Sequence, residues 1–245
     1  LLSGALLNCA FLGILRSYQV CSAAGLGDFS GNLLILFGLI SMAFAAVFIL
    51  GQSDFKRMLA YTSVEHMGIL ALGVGIGGSG AFGSALHAVN HSLTKATLFL
   101  VAGNILAAYH SKAVKEVQGV RQRLPVSALL WVCGFLAITG SPPFGPFLSE
   151  LTILKAAVDG GRGVVAALYL ALLALIFIGM ANIVLSMLQG RAPEPSTPAT
   201  LSRREALWSI APPIALGLLV LVLGCYIPPP LNRVLLDAAR TLGGH

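Results

Sequence analysis

The chain has 245 residues, of which 57% are hydrophobic and only 10% charged, against roughly 45–50% and about 25% in a soluble domain. A mean hydropathy of +0.89 and repeated apolar runs near the length of about 20 residues that crosses a bilayer exclude soluble, disordered and collagenous classes. The net charge of +6 comes mainly from Lys and Arg in short polar connections, as in loops that orient a helical membrane protein, so it points to anionic lipid and not to nucleic acid.

Apolar runs predict spans near 1–16, 31–51, 58–78, 82–109, 124–158, 163–189 and 207–227. Together they predict an all-α, polytopic transmembrane helix bundle over 1–227. Gly, Ser and Ala recur inside the runs, as suits helices that pack closely in lipid. The strict alternation of a barrel strand is absent. The chain opens Leu1-Leu2-Ser3 without a Met or a basic leader, and reads as a fragment without its true N-terminus. Cys9, Cys21, Cys133 and Cys225 are far apart and form no CxxC pair, so neither a disulfide framework nor a zinc site is expected from them.

Ionisable residues inside spans are costly and are functional candidates by default. The third run begins Asp54-Phe55-Lys56-Arg57 and carries Glu65 and His66. Lys56 and Arg57 suit either positive-inside anchors or a role in proton uptake. Neighbours on a helix point about 100° apart, so Glu65 and His66 do not face one partner; His66 is the better polar-cavity residue, and a buried helix–helix hydrogen bond is the alternative for each. The fourth run places His87, His91 and Lys95 at intervals of four, within an arc of roughly 80° and over about 12 Å of helix. Two imidazoles followed by an amine are parts of a proton wire; a polar seam between helices, with Asn90 and Thr94 as glue, is the alternative.

The fifth run is too long for one plain span, and Gly140-Ser141-Pro142-Pro143-Phe144-Gly145-Pro146 lies in its middle, where the helical hydrogen-bond ladder cannot continue. Either one helix is broken at membrane depth or two spans meet in a tight turn. The broken helix is preferred, with Pro142, Pro143 and Gly145 at the break, beside which an ion site is commonly found. Glu150 follows the break, where free N–H groups and the helix dipole favour a carboxylate that could load and release a proton; a simple capping carboxylate at an interfacial helix start is the alternative. Lys155 is either its partner or a snorkelling charge, the latter preferred. Lys56, Arg57, Lys112, Lys115, Arg121 and Arg123 share one face, read as cytoplasmic. The side taken by the Pro-rich linker 190–206 depends on the choice between a broken helix and two spans. Pro228-Pro229-Pro230 ends the last span, and 228–245 reads as an amphipathic tail in the interface. Nucleotide-binding and hydrolase motifs are absent.

Three segments carry a resemblance: Asp54 to Gly68 with Ser63-Val64-Glu65-His66-Met67-Gly68; His87-xxx-His91-xxx-Lys95-Ala96-xx-Phe99-Leu100; and Gly140-Ser141-Pro142-Pro143-Phe144-Gly145-xxx-Ser149-Glu150. In this order they resemble the proton-translocating, antiporter-like membrane subunits of respiratory complex I and of energy-converting hydrogenases. The Ser63 to Gly68 segment and the ending Tyr226-Ile227-Pro228-Pro229-Pro230-Leu231 look most like the hydrogenase-4 component F branch. The resemblance implies the second half of an antiporter-like inverted-repeat fold. It also implies proton-relay roles for Lys95, His91, His87 and Glu150. It further implies a non-catalytic subunit of an oxidoreductase complex in a bacterial or archaeal cytoplasmic (inner) membrane, without cofactors of its own and with redox cofactors in partner subunits. The chain departs from many members at Asn8, where they place a lysine. A free-standing cation/proton antiporter and a passive scaffold subunit are the competing functions.

Overall fold

The computed structural model describes residues 2–190 and 205–242. Most of the predicted linker 190–206, and the last three residues of the tail, lie outside the described residues. Helix α1 (Leu7–Ala23) follows a π-helical turn, Leu2–Leu6. Then come α2 (Gly27–Leu50), α3 (Phe55–Ile76), α4 (Ser79–Tyr109), a short α5 (Val120–Arg123), α6 (Pro125–Ile138), α7 (Gly145–Asp159), α8 (Gly163–Gln189), α9 (Leu207–Cys225) and α10 (Pro229–Thr241). The described residues are 84% helical and form no strand. Five of these helices, α2, α3, α4, α8 and α9, are long and apolar enough to cross a membrane.

The first helix runs further than its apolar stretch, through Arg16, Ser17 and Gln19 to Ala23, because intrahelical hydrogen bonds form without regard to polarity. For the same reason α2 and α4 begin a few residues before the predicted spans.

Helices α2 and α3 are antiparallel and meet backbone to backbone. Gly38 lies on Gly68 and Gly31 on Gly75, so close that a Cβ at any of the four would meet a carbonyl oxygen of the other helix at 3.0 Å or less. Small residues at such crossings let dispersion and weak polar contacts hold helices together where lipid removes the hydrophobic drive between them. Gly68→Leu is therefore expected to lower stability by about 1–3 kcal/mol through overpacking, read as a fall in melting temperature in detergent; an unchanged melting temperature would refute the close crossing.

At one end of the bundle, the loop before α3 pairs with the loop after α4. Val114 N donates to Ser53 O (2.9 Å), Phe55 N donates to Lys112 O (3.2 Å), and Asp54 and Ala113 form an isolated antiparallel bridge. Asp54 also accepts from Lys56 N and Arg57 N, capping α3, and pairs with Lys112 at 3.6 Å. The predicted basic loops thus share one face. Gly190 packs on Gln118 and Glu205 accepts from Val126 N and Ser127 N at the start of α6, so both flanks of the undescribed segment lie on that face too.

The fifth run crosses as one interrupted helix. Leu98 of α4 lies on Gly134, Asn90 on Gly145, and Gly83 on Ile153, so contacts retreat steadily along α4 while the chain advances from α6 to α7. A hairpin would reverse that order. Helices of 14 and 15 residues are each about 21–22 Å long and too short to span about 30 Å alone. Helix α6 ends in a Schellman motif: Gly140 has φ +62°, Gly140 N donates to Ala137 O, and Ser141 N donates to Leu136 O at 2.9 Å. Pro142 and Pro143 then prevent its resumption until Gly145. Gly224 of α9 seats against the backbone of Pro143 to Gly145, so the irregular segment is covered by protein, as a bilayer requires.

Beyond α9, α10 packs on α4 and its last turn accepts a hydrogen bond from Gln19 of α1. It buries Leu235 and Ala239 and turns Arg233, Asp237 and Arg240 outward, the two-faced pattern of an interfacial helix.

Candidate proton-relay site

Three helices bring their polar side chains to one place. Helix α3 contributes Thr62, Glu65 and His66, α4 contributes His87, Asn90, His91, Thr94 and Lys95, and α7 contributes Ser149 and Glu150; all are buried. The interval of four along α4 keeps His87, His91 and Lys95 on the face turned to α3 and α7, as the periodicity predicts.

His66 Nδ1 lies 2.9 Å from His87 Nε2, and His87 Nδ1 lies 2.9 Å from Ser149 Oγ. The Ser149 hydroxyl donates its one proton to Pro146 O at 2.9 Å. It therefore accepts from His87 Nδ1–H, which leaves Nε2 of a neutral His87 as a lone pair and makes His66 Nδ1–H the donor to it. His66 Nε2 is then a bare lone pair, with no partner among the described residues. A proton added at His66 Nε2 can leave from Nδ1 to His87, so the hydrogen-bond direction permits transfer from His66 to His87. The ring of His91 lies 4.8 Å from that of His66, centroid to centroid, and neither of its nitrogens has a partner among the described residues.

Lys95 is only 1% exposed. Its amine donates to Leu59 O at 2.5 Å and to Thr62 Oγ1, crossing to α3 about 12 Å along α4 from His87. Glu65 lies one turn beyond Thr62 on the same helix face. At the other end Glu150, 5% exposed, folds its carboxylate back over Gly140, where a Cβ would occupy the space of its oxygens. The carboxylate comes within 4.8 Å of ring nitrogens of both His66 and His87. The fold thus sets Glu150 near two of the imidazoles.

Lys56 is not part of this cluster. It is half-buried in the first turn of α3, ten residues and about 15 Å of helix from His66. Lys155 is exposed and pairs with Asp159 at 2.5 Å, as a surface charge would. Two members escaped the sequence reading. Thr62 and Ser149 are ordinary in a helix and gain meaning only from Lys95 and His87. Tyr169 is fully buried with its hydroxyl unpartnered among the described residues, and an isolated tyrosine within the apolar α8 run was its one available signal. Asn90 Oδ1 and Nδ2 and Glu150 Oε1 also lack partners among the described residues. Buried polar atoms need hydrogen bonds or a ligand.

The family model described as NADH:quinone oxidoreductase/Mrp antiporter, TM, matches residues 1–176. The chain belongs to that family. A hydrogenase-4 component F homologue of Methylacidiphilum infernorum (isolate V4) is 36% identical over 229 residues, covering 93% of this chain and 46% of that protein. The chain thus spans about half the length of this curated relative. Among solved structures, respiratory complex I from Thermus thermophilus with bound NADH contains a chain 26% identical, with a TM-score of 0.76 over 90% of this chain and 47% of the other. A chain of the membrane-bound sulfane sulfur reductase, an archaeal respiratory membrane complex, gives a TM-score of 0.82 at 23% identity over 99% of this chain and 48% of that one, a likeness of fold. The family read from three sequence segments is the one these comparisons find.

Proposed function

We propose that the chain is a proton-conducting membrane subunit of a hydrogenase-4-like or complex I-like assembly, seated in the cytoplasmic (inner) membrane of a bacterium or archaeon. Electron transfer, with its cofactors, belongs to the partner subunits, and this chain moves protons without catalysing the redox step. One observation carries the reading: a buried row of titratable side chains from three helices, running from Lys95 through His91, His66 and His87 to Glu150 and ending against a broken helix. Charge inside a bilayer costs several kcal/mol on insertion scales, and helix packing alone does not call for so many titratable groups in one seam. Glu65 adds a carboxylate near the lysine end. Lys56, at the capped start of α3, stands where a proton could be received from the basic face.

The purified assembly, reconstituted in vesicles, should lose most proton uptake on Glu150→Gln and keep it on Lys155→Ala. The first removes the titratable group beside the imidazoles; the second removes an exposed charge whose pairing contributes about 0.3–0.5 kcal/mol at most. Greater loss in Lys155→Ala would put the path on the wrong side of α7.

A further inference from the structure

We propose that His66, His87 and Glu150 form a binding site for a divalent transition-metal ion of the zinc type, inside the bundle and at the break between α6 and α7. The spacing of the cysteines leads to no metal centre, and the spacing of these three residues in the chain is equally silent, since they come from α3, α4 and α7. The fold nevertheless brings one donor atom from each within 4.8 Å of the others. A further observation points to a ligand: Glu150 Oε1, on a buried residue, has no partner among the described residues.

Two imidazole nitrogens and one carboxylate oxygen are a donor set for zinc, which binds nitrogen at about 2.0–2.1 Å and carboxylate oxygen at about 2.0–2.2 Å and keeps a fourth position for water where the protein supplies three ligands. Calcium or magnesium would need six or more oxygens. The His66 and His87 nitrogens that share a proton are 2.9 Å apart. In a tetrahedral site the two nitrogens would stand about 3.3 Å apart, from the bond lengths above. A shift of a few tenths of an ångström, with the shared proton moved to His66 Nε2, therefore presents both lone pairs to one ion. His87 keeps its Nδ1–H bond to Ser149, the outer hydrogen bond that orients a ligating imidazole. Glu150 supplies negative charge where a bare cation would otherwise be prohibitive. The ion would take the His87 Nε2 lone pair that receives the relayed proton, and His66 Nε2 would already be protonated, so occupancy stops transfer through the two rings.

The test uses the full chain purified in detergent and zinc chloride as the probe, with no proton flux measured, so the metal site and the relay reading can fail separately. One zinc per chain is expected, and X-ray absorption of the wild-type protein should show imidazole and oxygen at about 2.0–2.1 Å. Glu150→Gln and His66→Ala, each checked for monodispersity, should weaken binding at least tenfold, while His110→Ala should not change it. Absence of stoichiometric zinc, sulfur at about 2.3 Å, or unchanged affinity in monodisperse Glu150→Gln would overturn the site. If a variant fails to fold, the absorption spectrum of the wild type decides.

Discussion

Lys95→Met is expected to reduce proton uptake by the reconstituted assembly at least tenfold, while the chain still inserts and melts within a few degrees of wild type. The amine is buried and donates to Leu59 O and Thr62 Oγ1. Neither acceptor is stranded by its removal: Thr62 Oγ1 itself donates to Leu59 O at 3.0 Å, and Ser63 Oγ donates to the same carbonyl at 3.3 Å. Methionine fills a channel of similar length and brings no polar atom that needs a partner, and replacing a buried ionic group by an apolar one of like volume is often neutral or stabilising. The loss is thus confined to chemistry: nothing remains at that point of α4 to take up and release a proton. Normal uptake in a correctly assembled variant would reduce the row to a polar seam.

Gly140→Ala should depress uptake as far as Glu150→Gln does, although residue 140 carries no titratable group. Two costs meet there. The φ of +62° is a left-handed conformation that costs an alanine roughly 1–2 kcal/mol, and the new Cβ would stand where the Glu150 carboxylate lies. The carboxylate must leave His66 and His87, or the Schellman turn must open. Gly25→Ala separates the two effects: φ is +79° there, and an added Cβ would meet no atom within 4 Å, so it carries the strain without the collision. Vesicle uptake and melting temperature should be measured for both variants. Similar melting losses with a flux defect only at residue 140 are expected; equal flux defects would show that strain alone disturbs conduction.

The interruption at 140–146 was legible in the sequence because proline and glycine act on the backbone locally, wherever the chain happens to fold. The same holds for the ladder of His87, His91 and Lys95, whose common face follows from helical periodicity. What the ladder touches was not legible. Whether a lysine amine five bonds from its Cα finds Leu59 and Thr62 or a carboxylate depends on the distance between α3 and α4. The glycines at the neighbouring α2–α3 crossing reveal such distances only once they are paired. The approach of Glu150 to two imidazoles was hidden for the same reason: it brings together residues 63 and 84 positions apart, through a turn whose direction no local rule supplies. Arg16 misled in the opposite way, since a polar residue on an exposed helix face marked the end of hydrophobicity and not the end of α1.

The bridge between Asp54 and Ala113 bears on how conduction can be gated. Helices α3 and α4, which carry every member of the row except those on α7, are joined by Gly77 and Gly78 at one end and stitched by backbone hydrogen bonds at the other. They form a closed frame. A ratchet of one helix past its neighbour by a turn, about 5.4 Å, would tear the stitched end, so the frame holds its imidazoles and its amine in fixed register. Within it only rotamers, tautomers and water can change. A larger rearrangement, one that would keep the proposed proton flow in step with a partner's redox cycle, has to act from outside the frame. Of the three helices that build the site, α7 is the one outside the frame: it starts after an irregular segment and bears, among the described residues, the site's only carboxylate at that end.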